Sequence, residues 1–358
     1  MKYQKRHLVF AILLPIQIGL VQYLSNYQSF IENYYTNGIY PFLSKSLRFL
    51  FGWVPFSIGD VLLLLFFLLL IRFIYVLIKT KFKGILQKLV VVIAFLSIVH
   101  CCFYFFWGLN YFREPLQNQF EFDTSNYSTE ELIKTTSAII GKANTYHSEL
   151  NENDSIAVVV PYSRKEMYAM AVEAYQNLSK DYPQFQYQIA SIKHSMMSLL
   201  QSYNGTSGYL NPLTGEAHVN NKIPKTGYPT TVCHEMAHQI GFAAENEANF
   251  IGFLAANYHE DQFFKYASYR MALAYCLNEL RKRDSDRYAE TIQMINKGIL
   301  EDYNNSSRFW RQFKNPFEPL MKKGYNAYLK ANRQDKGIAS YNYVVDLLIS
   351  YHKFKGSI

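Results

Sequence analysis

The sequence predicts an α+β protein in two parts: an N-terminal region of three transmembrane helices, then a mostly helical domain with a small sheet. Three observations predict it. Three long apolar runs lie within residues 1–110, each of a length that can cross a bilayer. Residues 111–358 contain no such run and show helical periodicity with capping signals over most of their length. The extended, turn-rich pieces of that second part come early, ahead of an unbroken series of helices, which is the order of an α+β domain.

The first apolar run is residues 8–24, "LVFAILLPIQIGLVQYL", interrupted by Pro15, Gln17 and Gln22. Basic residues precede it, but no A-x-A cleavage site follows, so it reads as an uncleaved anchor rather than a signal peptide. The second is residues 54–78, with no polar residue from Val61 to Ile71. Asp60 lies near one end and Arg72 near the other, where it can snorkel to the headgroups. The third is residues 86–107, whose inner stretch holds one ionisable residue, His100. A neutral imidazole bonded to a neighbouring helix is the expectation there.

Charge orients these spans. Residues 1–110 carry ten Lys and Arg against two acids, Glu32 and Asp60, so the whole net charge of +8 resides there. Lys2, Lys5 and Arg6 precede the first span, and Lys79, Lys81, Lys83 and Lys88 lie between the second and third. The positive-inside rule places the N-terminus and the 79–88 loop in the cytoplasm, and everything after Tyr111 outside the cytoplasmic membrane. Tyr104, Trp107, Tyr111 and Phe112 make an aromatic belt at that exit, and the aromatic segment 25–53 is expected along the outer face. Residues 111–358 carry 26 basic and 26 acidic residues, which lacks the charge excess of a nucleic-acid binder. Four cysteines, Cys101, Cys102, Cys233 and Cys276, form no disulfide framework.

Within 111–358, Ser128-Thr-Glu-Glu131 and Ser163-Arg-Lys-Glu166 are capping boxes, predicting helices to about Leu150 and Lys180. "SIAVVVP" (155–161) and residues 187–201 read as strands. In the turn-rich stretch 204–224, Glu216 to Asn220 is the best strand candidate. Helices are predicted over 230–241, 245–257, 261–282, 286–298, 300–313, 317–331 and 338–352.

The chemistry lies in "TTVCHEMAHQIGFAAENEANF" (230–250). Its H-E-x-x-H puts His234 and His238 one turn apart on a helix face, close enough to share a metal. Val232, Cys233, Met236, Ala237 and Ile240 form the apolar arc, so the helix has a core side and a functional side. At a metal so held, Glu235 beside the first ligand is placed to take a proton from water and serve as general base. A catalytic zinc site needs three protein ligands. Glu245 follows His238 by seven residues, about 10 Å along a continuous helix, too far to share an ion. Gly241 is the natural break. A turn through Phe242-Ala243-Ala244 would bring the next helix back, with Glu245 and Glu247 both on its first turn.

The stretch resembles the zincin superfamily of metallopeptidases. Its glutamate-ligand branch, the gluzincins, carries a ligand Glu on the next helix, commonly followed four residues later by Asp or Asn. Glu245-Asn-Glu-Ala-Asn249 fits that pattern, so the resemblance implies zinc held by His234, His238 and Glu245, with Asn249 a supporting residue behind them. Glu247, whose i+4 residue is Ile251, is the alternate third ligand. H-E-x-x-H-x-x-G is also similar to the metzincins, but their third ligand would fall on Ala244. Zincins pair their substrate with an edge strand beside the site; "TGEAHVN" (214–220) is the candidate, and His218 on it is either a residue that reaches the cleft or a surface residue of the strand. The whole chain, through "WGLNYFREPL" (107–116), "LNPLTGEAHVN" and the zincin helices, resembles an uncharacterised bacterial family of three-span membrane-anchored predicted zinc peptidases.

The resulting expectation is a zinc-dependent metallopeptidase, one Zn2+ per chain, anchored in the bilayer and acting on protein or peptide substrates outside the cytoplasmic membrane. The competing expectation is a catalytically silent envelope scaffold that keeps the zincin fold; the intact Glu235 favours the enzyme. His147, His194 and His259 read as structural or solvent-exposed. An oxyanion-stabilising Tyr or His is also required, and 30 tyrosines leave it unassigned.

Overall fold

The computed structural model describes residues 5–120, 122, 127–356 and 358; Lys2, counted among the N-terminal cations, lies outside them. The chain divides into two compact units. The first ends at Glu114 and also takes in Asn211–Glu216; the second is Pro115–Leu210 with Ala217–Ile358. The predicted boundary at residue 110 thus moves to Glu114, and a loop from far along the chain joins the first unit.

The first unit runs α1 (Lys5–Leu24), α2 (Gln28–Phe30), a π-helical stretch (Ile31–Ile39), α3 (Tyr40–Gly52), α4 (Ile58–Lys79), α5 (Ile85–Phe106) and a 3-10 turn (Gly108–Phe112). α1, α4 and α5 are long and apolar enough to cross a membrane, as the three runs predict. α1 packs along α5, and the polar residues of these spans find partners there. Gln17 Nε2 donates to Ser97 Oγ at 3.2 Å, and His100 Nδ1 lies 3.2 Å from Gln17 Oε1. Interhelical bonds of this kind satisfy polar groups in an apolar setting. The aromatic 25–53 segment is mainly helical, and Glu32 on its π-helical part forms a buried ion pair with Arg113 at 2.8 Å.

The start of α4 is capped twice. Ser57 Oγ accepts from the Asp60 amide at 2.8 Å. The buried Glu216 carboxylate accepts from the amides of Ile58 and Gly59 at 3.2 and 2.6 Å. An anion there meets the free N–H groups and positive end of the helix dipole. Gly215 makes the approach feasible: its φ is +64°, and a Cβ on it would stand 3.0 Å from Leu47 Cβ.

The second unit contains α6 (Leu116–Phe120), α7 (Thr129–Leu150), α8 (Arg164–Asp181), β1 (Ile192–His194), α9 (Ser198–Asn204), β2 (Gly208–Leu210), β3 (Ala217–Val219), α10 (Tyr228–Gln239), α11 (Glu245–Asn257), α12 (Gln262–Arg283), α13 (Ser285–Ile292), α14 (Lys297–Arg311), α15 (Glu318–Ala331) and α16 (Val344–Lys355). The mostly helical architecture with a small sheet matches expectation. Both predicted capping boxes form: Ser128 and Ser163 each accept from the amide three residues on, and Glu131 and Glu166 reach back to their amides. α10 and α11 pack closely, with α8 and α12 against them. Their shared core is aromatic and aliphatic, including Tyr175, Val232, Met236, Phe250, Phe253 and Leu273, all fully buried.

Three element predictions are corrected. "SIAVVVP" forms no strand. Its backbone is instead fixed by helices: His147 Nε2 lies 3.0 Å from Ile156 O, and Gly298 N donates to Asp154 O at 2.8 Å. The predicted 286–298 helix stops at Ile292 and a new one starts at Lys297; in its first turn Gly298 packs so closely that a Cβ would fall 2.2 Å from Ile156 O. Of 187–201, only Ile192–His194 is strand. Ser195 then turns the chain, its Oγ accepting from the Met197 amide at 3.0 Å.

A further correction concerns the sheet, whose order is β1-β3-β2. β3 pairs parallel with β1 and antiparallel with β2. The segment expected to offer a free edge is therefore the central strand, and its first residues, Thr214–Glu216, lie in the first unit's loop. His218 sits mid-strand, fully buried, opposite Tyr209, with the two rings 4.5 Å apart. A strand with both edges occupied cannot accept another, so the substrate-strand role of 214–220 and His218 does not hold.

Candidate metal centre

The site is built on α10 and α11. Val232, Cys233, Met236 and Ala237 of α10 are fully buried, as the wheel requires, and Tyr175 OH anchors the helix by donating to Cys233 O at 2.7 Å. His234 and His238 share the opposite face, rings 4.6 Å apart and nearly perpendicular. The chain breaks at Gly241, whose φ is +96°, a left-handed conformation that glycine adopts without strain. Phe242 is buried against Phe185 at a ring separation of 5.4 Å, and Ala244 is extended. α11 then opens on Glu245, as predicted.

This turn brings the three expected residues together. Nε2 of His234 and Nε2 of His238 lie 3.3 and 3.6 Å from Glu245 Oε2, and each residue offers one ligand atom within 4.8 Å of the others. Ligands about 2.0–2.2 Å from a tetrahedral ion would stand about 3.3–3.5 Å apart, so the spacing suits one small cation. Glu245 Oε2 is buried and makes no hydrogen bond among the described residues, which an ion at that centre would remedy. His238 Nδ1 lies 2.7 Å from Phe242 O. The carbonyl accepts a hydrogen bond from Nδ1–H, which leaves Nε2 as the nitrogen that faces the centre and that a metal would use once its proton is displaced. The turn made by Gly241 thus also orients a ligand.

The electrostatics agree. Burial disfavours the charged form of Glu245, but the two imidazoles override it and hold the carboxyl well below the usual range. Burial likewise opposes the charged His238, yet Glu245 carries it up to about 9. The pocket is a place where positive charge is stabilised. Glu235 is buried at its rim, and desolvation, with Glu245 nearby, pushes its carboxyl up to about 7. Its Oε2 has no hydrogen-bond partner among the described residues, so the carboxylate is available to a proton donor.

Glu247, the alternate ligand, is spent elsewhere: its Oε1 accepts from the Leu116 amide at 2.7 Å, at the start of α6. Asn249 is buried one turn beyond Glu245, and its Nδ2 has no hydrogen-bond partner among the described residues. No bond from Asn249 to a ligand occurs among the described residues. His147 and His259 are structural, as expected. His259 Nδ1 accepts from the Asp261 amide at 2.9 Å.

Three contributors escaped the sequence. Tyr325 of α15 donates to Glu245 Oε1 at 2.8 Å. Gly208 of β2 lies so close that a Cβ would be 2.5 Å from Glu235 Oε1. Gly252 of α11 lets the two helices approach at the first ligand, since its Cβ would lie 3.2 Å from His234 N. One signal was available for the glycines, their place in short elements where alanine would serve equally well in isolation. None singled out Tyr325.

A family model described as "Protein of unknown function (DUF3810)" matches residues 35–349. No curated protein and no solved structure matches the chain.

Proposed function

The chain belongs to the DUF3810 family, whose description assigns no activity, and from the site itself we propose that it is a membrane-anchored zinc metallopeptidase. The observation that carries this reading is the convergence of His234, His238 and Glu245 on one point, with Glu235 beside them and its Oε2 without a hydrogen bond among the described residues. The surrounding domain is then a zincin-like one. The family resemblance and the intact general base favour peptide hydrolysis over a silent scaffold.

A zinc ion held by these three residues would supply Lewis acidity to a carbonyl and acidify a water molecule. Glu235 takes the proton of the attacking water and passes it to the departing amine. Its raised affinity for a proton suits both transfers. Burial keeps bulk solvent from competing for it. β2 pairs only with β3 among the described strands and runs past Glu235 at Gly208. It replaces 214–220 as the strand that a peptide substrate would extend. The charge distribution of the loops favours a cytoplasmic N-terminus and a catalytic unit outside the cytoplasmic membrane, among envelope proteins and peptides.

Full-length protein purified in detergent is expected to hold one zinc per chain by elemental analysis. Glu245→Ala should lose it and Glu247→Ala should keep it. Glu235→Gln should retain zinc but cut cleavage of a mixed peptide library by at least about a hundredfold. A wild-type protein without zinc sinks the proposal. Zinc without cleavage in the wild type would favour the scaffold. A reporter fused after Tyr111 should read as extracytoplasmic, and a cytoplasmic signal would reverse the orientation.

A further inference from the structure

A second concave site lies in the same unit, away from the metal centre. It is an open surface groove of about 510 Å³, bordered by the start of α8, the end of β1 and the turn before α10. Arg164, Lys165, Lys222 and Lys225 line it together with His194, and no carboxylate does. This stands out in a domain whose charges balance. The acid next to these residues in sequence, Glu166, is bonded to the Ser163 amide at 2.7 Å as part of its capping box and interacts electrostatically with Lys225, so it offsets part of the cluster's charge without lining the groove.

The cations are not spent on each other. Arg164 and Lys225 are held in place by carbonyls, Nη2 to Ile223 O at 3.1 Å and Nζ to Tyr162 O at 2.7 Å. Neither carbonyl neutralises the charge. Arg164 Nε is buried and has no hydrogen-bond partner among the described residues. Lys165 and Lys222 are exposed.

His194 is positioned by a pair of tyrosines. Its Nδ1 lies 2.6 Å from Tyr168 OH and 3.2 Å from Tyr228 OH, and the two hydroxyls are 2.8 Å apart. Burial and the charge of Arg164 both keep the imidazole below its ordinary value, so it is neutral near pH 7. A tyrosine hydroxyl donating to Nδ1 leaves the proton on Nε2, which can then donate to an anion. Four cations exceed what one carboxylate would need. They suit a group with up to two negative charges and several acceptor oxygens that ammonium, guanidinium and imidazole can share.

We propose that this cleft binds a phosphate group. The site is distinct from the metal centre: Tyr228 opens α10 six residues before His234, roughly 9 Å along the helix axis. Recognition there requires no metal. The group could come from a free phosphate or from a lipid headgroup, which present the same oxygens.

The test uses the full-length protein in phosphatidylcholine nanodiscs, titrated calorimetrically with inorganic phosphate at about 150 mM salt, where loosely screened surface charge contributes little. Saturable binding is expected, and EDTA treatment should leave it unchanged. Lys165→Gln/Lys222→Gln should weaken it about tenfold or more, whereas Lys142→Gln, outside the cleft, should not. Both changed lysines are exposed, and circular dichroism checks that the variant folds. Replacing part of the lipid by phosphatidylglycerol separates the sources: competition with inorganic phosphate marks the headgroup as occupant, and unaltered binding marks a soluble one. Absence of saturable binding in the wild type, or equal binding in the double variant, overturns the proposal.

Discussion

Glu245 and Glu247 stand two positions apart on one helix, and helical geometry gives them separate fates. At about 100° per residue they face nearly opposite sides, so only one can look at α10. Glu245 does, while Glu247 satisfies the amide that opens α6. The sequence held the ambiguity because both lie on the first turn. The resemblance chose Glu245 by its distance to Asn249; in the structure it is the Glu245 carboxylate that lies beside the two imidazoles. At this scale the residue with the most to reveal is Tyr325, whose hydroxyl donates to Glu245 Oε1, the other oxygen of the carboxylate whose Oε2 lies beside the imidazoles. Outer hydrogen bonds of this kind orient a ligand and typically change metal affinity by about ten- to a hundredfold. Tyr325→Phe should therefore weaken zinc binding about tenfold in a chelator competition while leaving the unit folded. An unchanged affinity would show that the hydroxyl does not position Glu245.

At the scale of elements, the centre depends on how tightly α10 and α11 can approach. Gly252 sets that distance. A Cβ there would stand 3.1 Å from Thr230 O and 3.2 Å from His234 N, both backbone atoms of the neighbouring helix, which cannot yield as a flexible side chain would. Gly252→Ala should destabilise the protein by about 1–3 kcal/mol and reduce zinc occupancy, because the shift falls on a ligand. Gly141→Ala, inside α7 with nothing within 4 Å of its new Cβ, should do the reverse and stabilise by about 0.5–1 kcal/mol. Thermal unfolding and elemental analysis distinguish the pair; equal effects would refute the close-approach argument. Helix ends were legible at this scale wherever a side chain does the capping, as at Ser128 and Ser163. Strands were less so. Each strand here has three residues, too few for alternation to declare itself, and "SIAVVVP" carries a strand-like composition while being fixed by helices.

For the whole molecule, two features span distances that no local pattern covers. The Asn211–Glu216 loop belongs to the unit of the apolar helices, where Glu216 caps α4 more than 150 residues earlier in the chain. Stability also carries a pH dependence from Asp346, on the first turn of α16. Burial, with Glu279 adding to it against Arg283, raises its carboxyl to about 6. A folded value above the unfolded one means that its contribution is fully present below about pH 4 and is lost as pH rises through about 6. Asp346→Asn should consequently raise the melting temperature at pH 8 and alter it little at pH 4. A gain of equal size at both pH values would exclude ionisation as the cause. The sequence by itself determined the three apolar helices, the helical character of the rest, and the set His234, Glu235, His238 and a glutamate beyond Gly241. These follow from hydropathy, from the 3.6-residue period and from the freedom of glycine, all local properties of the chain. Only the tertiary structure decided which glutamate turns inward, which strand lies at the centre of the sheet and which at its edges, and which of the many tyrosines reaches Glu245. Those outcomes depend on directions in space between segments far apart in the chain, which no local pattern records.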